Sequence, residues 1–231
     1  MLRSFDDLVN WKLLPGSHEF PGPDGGTCIN EAAAVAAGFS YRKIDQPDDC
    51  PPCFSRILAG YEIELNDGIT DDDMRQKMLM PFVVRMAGTA AVEAVERRRA
   101  DHMMVEYVRR ILSFVHAADG YYDIAVQCQA VAGTSDCFDL LNSLKSESEM
   151  TAVICKLYDD FPTLFADTST TEFSAMGVGM AINTTGWYTQ WDKVIFAIAC
   201  QTFGEAIALG NHATLDAEVA VERLEAAMQD A

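Results

Sequence analysis

No uninterrupted apolar run in the 231-residue sequence reaches the ~18 residues that a membrane-spanning helix needs. Bases are scarce: 17 Lys and Arg stand against 35 Asp and Glu, a formal net charge of −18. The scarcity is uneven. Residues 1–110 carry 18 acids and 13 bases, whereas residues 111–231 carry 17 acids and 4 bases. The second half therefore lacks the cations that neutralise phosphates, which argues against direct binding of nucleic acid. Its charge suits solubility and self-repulsion, and an acidic surface can also imitate DNA. The N-terminal "MLRSFDDLVNWKLL" lacks the basic and apolar regions of a signal peptide and carries Asp6 and Asp7 instead. The chain is expected to be soluble and cytoplasmic, with no membrane partner.

An even set of cysteines is also missing. There are 7, and Cys128, Cys137, Cys155 and Cys200 fall inside apolar helical patterns where a thiol acts as a small hydrophobe. A reducing compartment fits better than a disulfide framework. Neither an internal repeat nor a run of alternating strand residues is present.

What is present is helical periodicity. The pattern predicts an all-α fold: a single helical domain over 1–231, with a loop-rich module at 1–68 packed on a helical body at 69–231. Helices are expected over 4–14, 28–37 (stopped by Gly38), a stretch from Cys53, one beginning at Thr70 and interrupted at Pro81, and a long one over 89–118. Further helices follow near 121–131, 135–145, 149–160, 171–183, 187–209 and from Leu215 on. The prolines and glycines of 15–27 and 40–52 exclude regular structure there.

Several residue groups have the types that chemistry needs. "GGTC" puts Cys28 at a helix start, where backbone N–H groups and the helix dipole favour a thiolate. With His18 as base and Asn30 or Asp24 as orienter, this is a candidate cysteine-hydrolase site; His102, His116 and His212 are other bases. The plainer alternative has Thr27 capping the helix and Cys28 packing. "DCPPC" holds Cys50 and Cys53, which with His18 and Cys28 supply three sulfurs and one nitrogen, a set that zinc accepts. The alternative is free thiols around a stiff double-proline turn. "LNDGITDDDM" lacks the order of a calcium loop and reads as a turn before an acidic helix start. "ERRRAD" (96–101) reads as a solvated face. Trp187 and Trp191, four apart, read as core or as an oligomer contact.

The stretch "GSHEFPGPDGGTCINEAAAVAAGFSYR", with "CPPCFSRILAGYEIELND" after it, resembles a family of uncharacterised bacterial and phage-associated proteins. They share a glycine–proline loop, then T-C-[IV]-N-E-A-A and later C-F-S, over about residues 11–90. The resemblance implies that His18, Asp24, Thr27, Cys28, Asn30, Glu31 and Cys53 belong to the module's core. It carries no activity with it.

The leading expectation is a non-enzymatic, acidic helical protein that works through a protein partner, with room for a homo-oligomer and no cofactor. Its rivals are a Cys28/His18 hydrolase, a zinc-stapled scaffold and a DNA-mimic inhibitor.

Overall fold

The structure, a computed structural model, describes residues 11–19, 26–144, 171–210 and 214–229. Over these residues it is mainly helical, as the periodicity predicts. The exception lies at the start. Lys12–Leu13 (β1) pairs in parallel with Gly26–Thr27 (β2), Lys12 opposite Gly26 and Leu13 opposite Thr27. This corrects the expected helix through residue 14; residues 1–10 lie outside the described residues. The cause is local. Leu14 precedes Pro15, whose ring disfavours helical backbone at the residue before it. Gly26 then admits Leu14, whose Cγ would lie 2.5 Å from a Cβ placed there.

Helix α1 (Ile29–Ala36) is wholly buried, and Gly38 ends it at φ 92°. A short 3-10 turn, Pro47–Asp49, occupies the second loop. Helix α2 (Arg56–Gly68) starts on Ser55, whose hydroxyl accepts from Leu58 N at 3.2 Å. Helix α3 (Asp72–Leu79) starts on Asp71 rather than Thr70, because the Asp71 carboxylate accepts from Met74 N at 2.8 Å. Pro81 converts the continuation into a 3-10 segment, Met80–Arg85. The long helix begins at Glu93, not Thr89: α4 (Glu93–Glu106), a π-helical segment (Tyr107–Leu112) and α5 (Ser113–Ala118) run on without a break. Thr89 is used elsewhere, its hydroxyl accepting from Ser55 N and donating to Met86 O. Helices α6 (Tyr122–Ala130), α7 (Thr134–Ser143), α8 (Thr171–Tyr188), α9 (Asp192–Ala208) and α10 (Ala217–Gln229) complete the described chain. The helix expected over 149–160 lies outside it. No helix among the described residues is long and apolar enough to cross a membrane.

Helices α2 and α8 approach closely, and small residues make it possible. A Cβ on Gly68 would fall 1.8 Å from Asn183 Oδ1, and one on Gly179 would fall 2.4 Å from Glu64 Cβ. Asn183 occupies the space that Gly68 leaves and donates to Glu64 O at 2.8 Å and to Glu64 Oε2 at 3.2 Å. One continuous apolar core runs from Trp11 to Leu224 around this pair.

Two helix ends are finished by arginines from elsewhere. Neither α2 nor α9 carries a base in its last turn. Arg75, buried, donates to Asn66 O and Ile69 O at the end of α2. Arg99, also buried, donates to Ala206 O at 3.2 Å and Thr89 O at 2.7 Å, and pairs with Glu96 at 3.1 Å. A guanidinium at a helix C-terminus meets both the orphan carbonyls and the negative end of the dipole. "ERRRAD" is therefore not uniformly a solvated face: Arg97 and Arg98 are exposed, but Arg99 is core.

The break between α8 and α9 falls at 189–191. Thr184 and Thr185 bond back to Met180 O and Ala181 O and stay helical. Trp187 and Trp191 thus sit on different elements and form no stacked pair. Trp187 is 62% exposed, while Trp191 meets Phe114 edge-on at 5.5 Å.

Candidate functional site

The N-terminal loop converges on one buried carboxylate. Glu31, on the first turn of α1, accepts from Ser17 Oγ (2.9 Å), His18 N (3.3 Å) and Ile44 N (3.1 Å) through Oε1. Its Oε2 accepts from Cys28 N at 2.9 Å. This is the return half of a capping box, with Cys28 itself at the N-cap. Thr27 is not the cap. It lies in β2 and accepts from Trp11 Nε1 at 2.8 Å. Tyr41 closes the node by donating to His18 O. One carboxylate thus pins the 15–19 loop, the 41–44 segment and the start of α1.

Cys28 sits at a helix start, as expected, but the chemistry inferred from that position is reversed. Burial pushes the thiol well up, and the Glu31 charge pushes it the same way. The N–H groups of Glu31 and Asn30 pull it down by less, and Asp67 adds a further rise. A protonated, buried thiol is a poor nucleophile. His18 turns its ring to its own loop, Nε2 lying 2.8 Å from Pro15 O. Asn30 donates to Ala59 O at 3.2 Å and so ties α1 to α2. Asp24 and His212 lie outside the described residues. His102 pairs with Glu205 at 3.2 Å, and His116 is buried, with its pKa lowered by desolvation.

The zinc set is not assembled. Among the described residues no group of three or more His, Cys, Asp or Glu side chains is placed to hold a metal ion, and His18, Cys28, Cys50 and Cys53 are all described. Cys50 is buried and its thiol is pushed up to about 12, by burial first and then by Glu62; Cys53 is half-buried. The loop is pinned by the Glu31 hydrogen bonds.

Two acids on α2 are misplaced by ordinary rules. Glu62 is wholly buried, with neither carboxyl oxygen hydrogen-bonded among the described residues, and burial raises its pKa well above normal. Glu64, against Asn183, is pushed up to about 7 by burial and by the charge of Asp67.

A second region exposes apolar surface. The corner between α5 and α6 turns at Gly120, φ 87°, and Tyr121 N is held by His116 O at 2.8 Å. Behind this corner lies a groove of about 640 Å³. Tyr121 and Tyr122 line it and are 45% and 69% exposed, and Val126, one turn along α6, is 63% exposed. Residues 111–144, which build this part of the molecule, contain four aspartates and no lysine or arginine. The tyrosines did not stand out in the sequence, because aromatic residues at a helix start usually enter the core. The missing bases over 34 residues were the available signal.

No protein-family model, curated protein or solved structure matches the chain.

Proposed function

We propose that the chain is a non-enzymatic helical interaction protein that engages a protein partner through the α5–α6 corner. The observation that carries this reading is the exposed apolar face of Tyr121, Tyr122 and Val126, set in a stretch, residues 111–144, without lysine or arginine. Exposed aromatic clusters on a rigid element are typical of recognition surfaces. The buried, protonated Cys28 supports the same choice, since the best nucleophile candidate in the sequence is poorly suited to attack. The net charge of −18 favours a cationic partner over a second copy, because like charges slow association and opposite charges steer it.

The test compares proteins retained by the immobilised chain with those retained by a Tyr122→Ser/Val126→Ser variant. Both side chains are largely exposed, so the variant keeps the parent's melting temperature. A partner held stoichiometrically by the parent and lost by the variant supports the reading. Identical retention by both, or none by either, overturns it.

A further inference from the structure

We infer that the groove at the α5–α6 corner docks a basic segment of the partner, with a lysine or arginine side chain laid on Tyr121 and Tyr122 and paired to Asp123. This rests on the interaction reading above and specifies its partner. The groove's size, about 640 Å³, falls within the ~300–1,000 Å³ range of clefts that bind ligands. Its lining combines two tyrosine faces, the apolar Ile124 and Leu144, and the polar Asp123 and Gln127. Tyrosine faces attract cations through the ring quadrupole, and a nearby carboxylate completes the pairing.

Charge decides between occupants. Asp119 and Asp123 are exposed, and neither carboxylate has a hydrogen-bond or ion-pair partner among the described residues. Asp123 contributes only its backbone carbonyl, to Gln127 Nε2 at 3.3 Å. Within the groove's described lining the opposing field is the N-terminus of α6, worth about half a positive charge against two full negative ones, and Arg109, on the segment packed against α6, is paired with Glu106 at 3.5 Å. His116 packs edge-on behind Tyr121, its ring centroid 6.1 Å away, and burial lowers its pKa against the raising charge of Asp119. An anionic ligand would meet no lysine or arginine from residues 111–144. The walls are held before binding by the Gly120 corner and the Tyr121–His116 backbone bond, so little ordering is required of them.

The experiment titrates the full chain with acetyl-Leu-Arg-Leu-Lys-Leu-amide, following backbone amide shifts at low salt. The control peptide carries glutamine at both basic positions. The expected result is shifts centred on Tyr121–Gln127 and Leu144, absent with the control peptide. Tyr122→Ala and Asp123→Asn each weaken binding about fivefold or more, while Asp139→Asn, which removes an equal charge from exposed α7 surface, leaves it within about twofold. Equal weakening by Asp139→Asn and Asp123→Asn would mean attraction to net charge alone and overturns the proposal. Concentration-dependent shifts at the same residues without peptide would make a second copy the occupant, and also overturn it. If the peptide fails while the serine variant above still loses a partner, the face survives as an interface and the basic segment does not.

Discussion

Replacing Glu62 with methionine should stabilise this protein, and should do so more at neutral pH than in acid. The side chain is wholly buried on α2, and neither oxygen has a hydrogen-bond partner among the described residues. Its neighbourhood includes the thiols of Cys50 and Cys200, both pushed up to about 12 by burial and by Glu62 itself. Methionine matches the length of glutamate and leaves no orphaned polar atom. Leaving buried polar groups unsatisfied costs about 1–3 kcal/mol, which is the gain expected at pH 4. The pH term adds to it. Burial raises the folded pKa, so the folded state keeps a proton that the unfolded chain releases above 4.5. The contribution of Glu62 to wild-type stability is therefore most favourable below 4.5. It falls by up to about 1.4 kcal/mol per pH unit until the folded pKa is reached, and then levels off. Methionine does not titrate and escapes this loss. At ~2–4 °C per kcal/mol for a chain of this size, the melting temperature should rise by roughly 2–12 °C at pH 4, and further at pH 7. Thermal unfolding followed by circular dichroism at pH 4, 5.5 and 7 measures both parts. A variant no more stable than wild type, or a gain that does not grow with pH, refutes the account of Glu62 as an uncompensated buried acid.

Glu64 offers a second pH signature. Its folded pKa of about 7, against 4.5 unfolded, makes stability fall between those values by at most about 3 kcal/mol; Glu64→Gln should flatten that interval, read by urea titrations at pH 4.5 and 7.5. Glu31→Ala should cost about 3 kcal/mol or more, because four donors lose their acceptor, and should open the 15–19 and 41–44 segments to limited proteolysis; a loss under about 1 kcal/mol would deny the node its role. Iodoacetamide at pH 8 should label half-buried Cys53 first among the described cysteines and reach Cys28 only on unfolding, as peptide mapping will show. Fast labelling of Cys28 in the folded protein would restore the nucleophile reading. Gly68→Ala should destabilise by about 2 kcal/mol or more through overlap with Asn183, and Asn183→Ala should recover part of that loss.

The helical body was legible because periodicity reports burial directly: α1, α2, α6 and α10 fall close to their expected bounds. Boundaries moved where side chains took long-range partners. Thr89 resembles an N-cap but serves Ser55 and Met86, and Thr184 and Thr185 resemble a break but bond back along α8. The site was legible as a place and not as chemistry. Cys28 was expected at a helix start and lies there, yet a helix terminus lowers a thiol pKa only when burial and a neighbouring acid do not outweigh it, and Glu31 is three residues away. Arg99 carries the general lesson. Arg97, Arg98 and Asp101 beside it are surface residues, and the arrival of α9, with Ala206 107 positions later, helps make Arg99 core.

That arrival has a consequence for the order in which the chain matures. During synthesis Arg99 emerges long before Ala206, and Gly68 long before Asn183. Until those late segments exist, the Arg99 guanidinium has Thr89 O and Glu96 but not its Ala206 partner, and Gly68 lacks the Asn183 side chain that fills the space beside it. A nascent chain halted near residue 144 would therefore be a loose helical assembly with a sticky seam, in need of shelter. The contacts that seal the fold span about half of the chain, which marks this as a slow closing step.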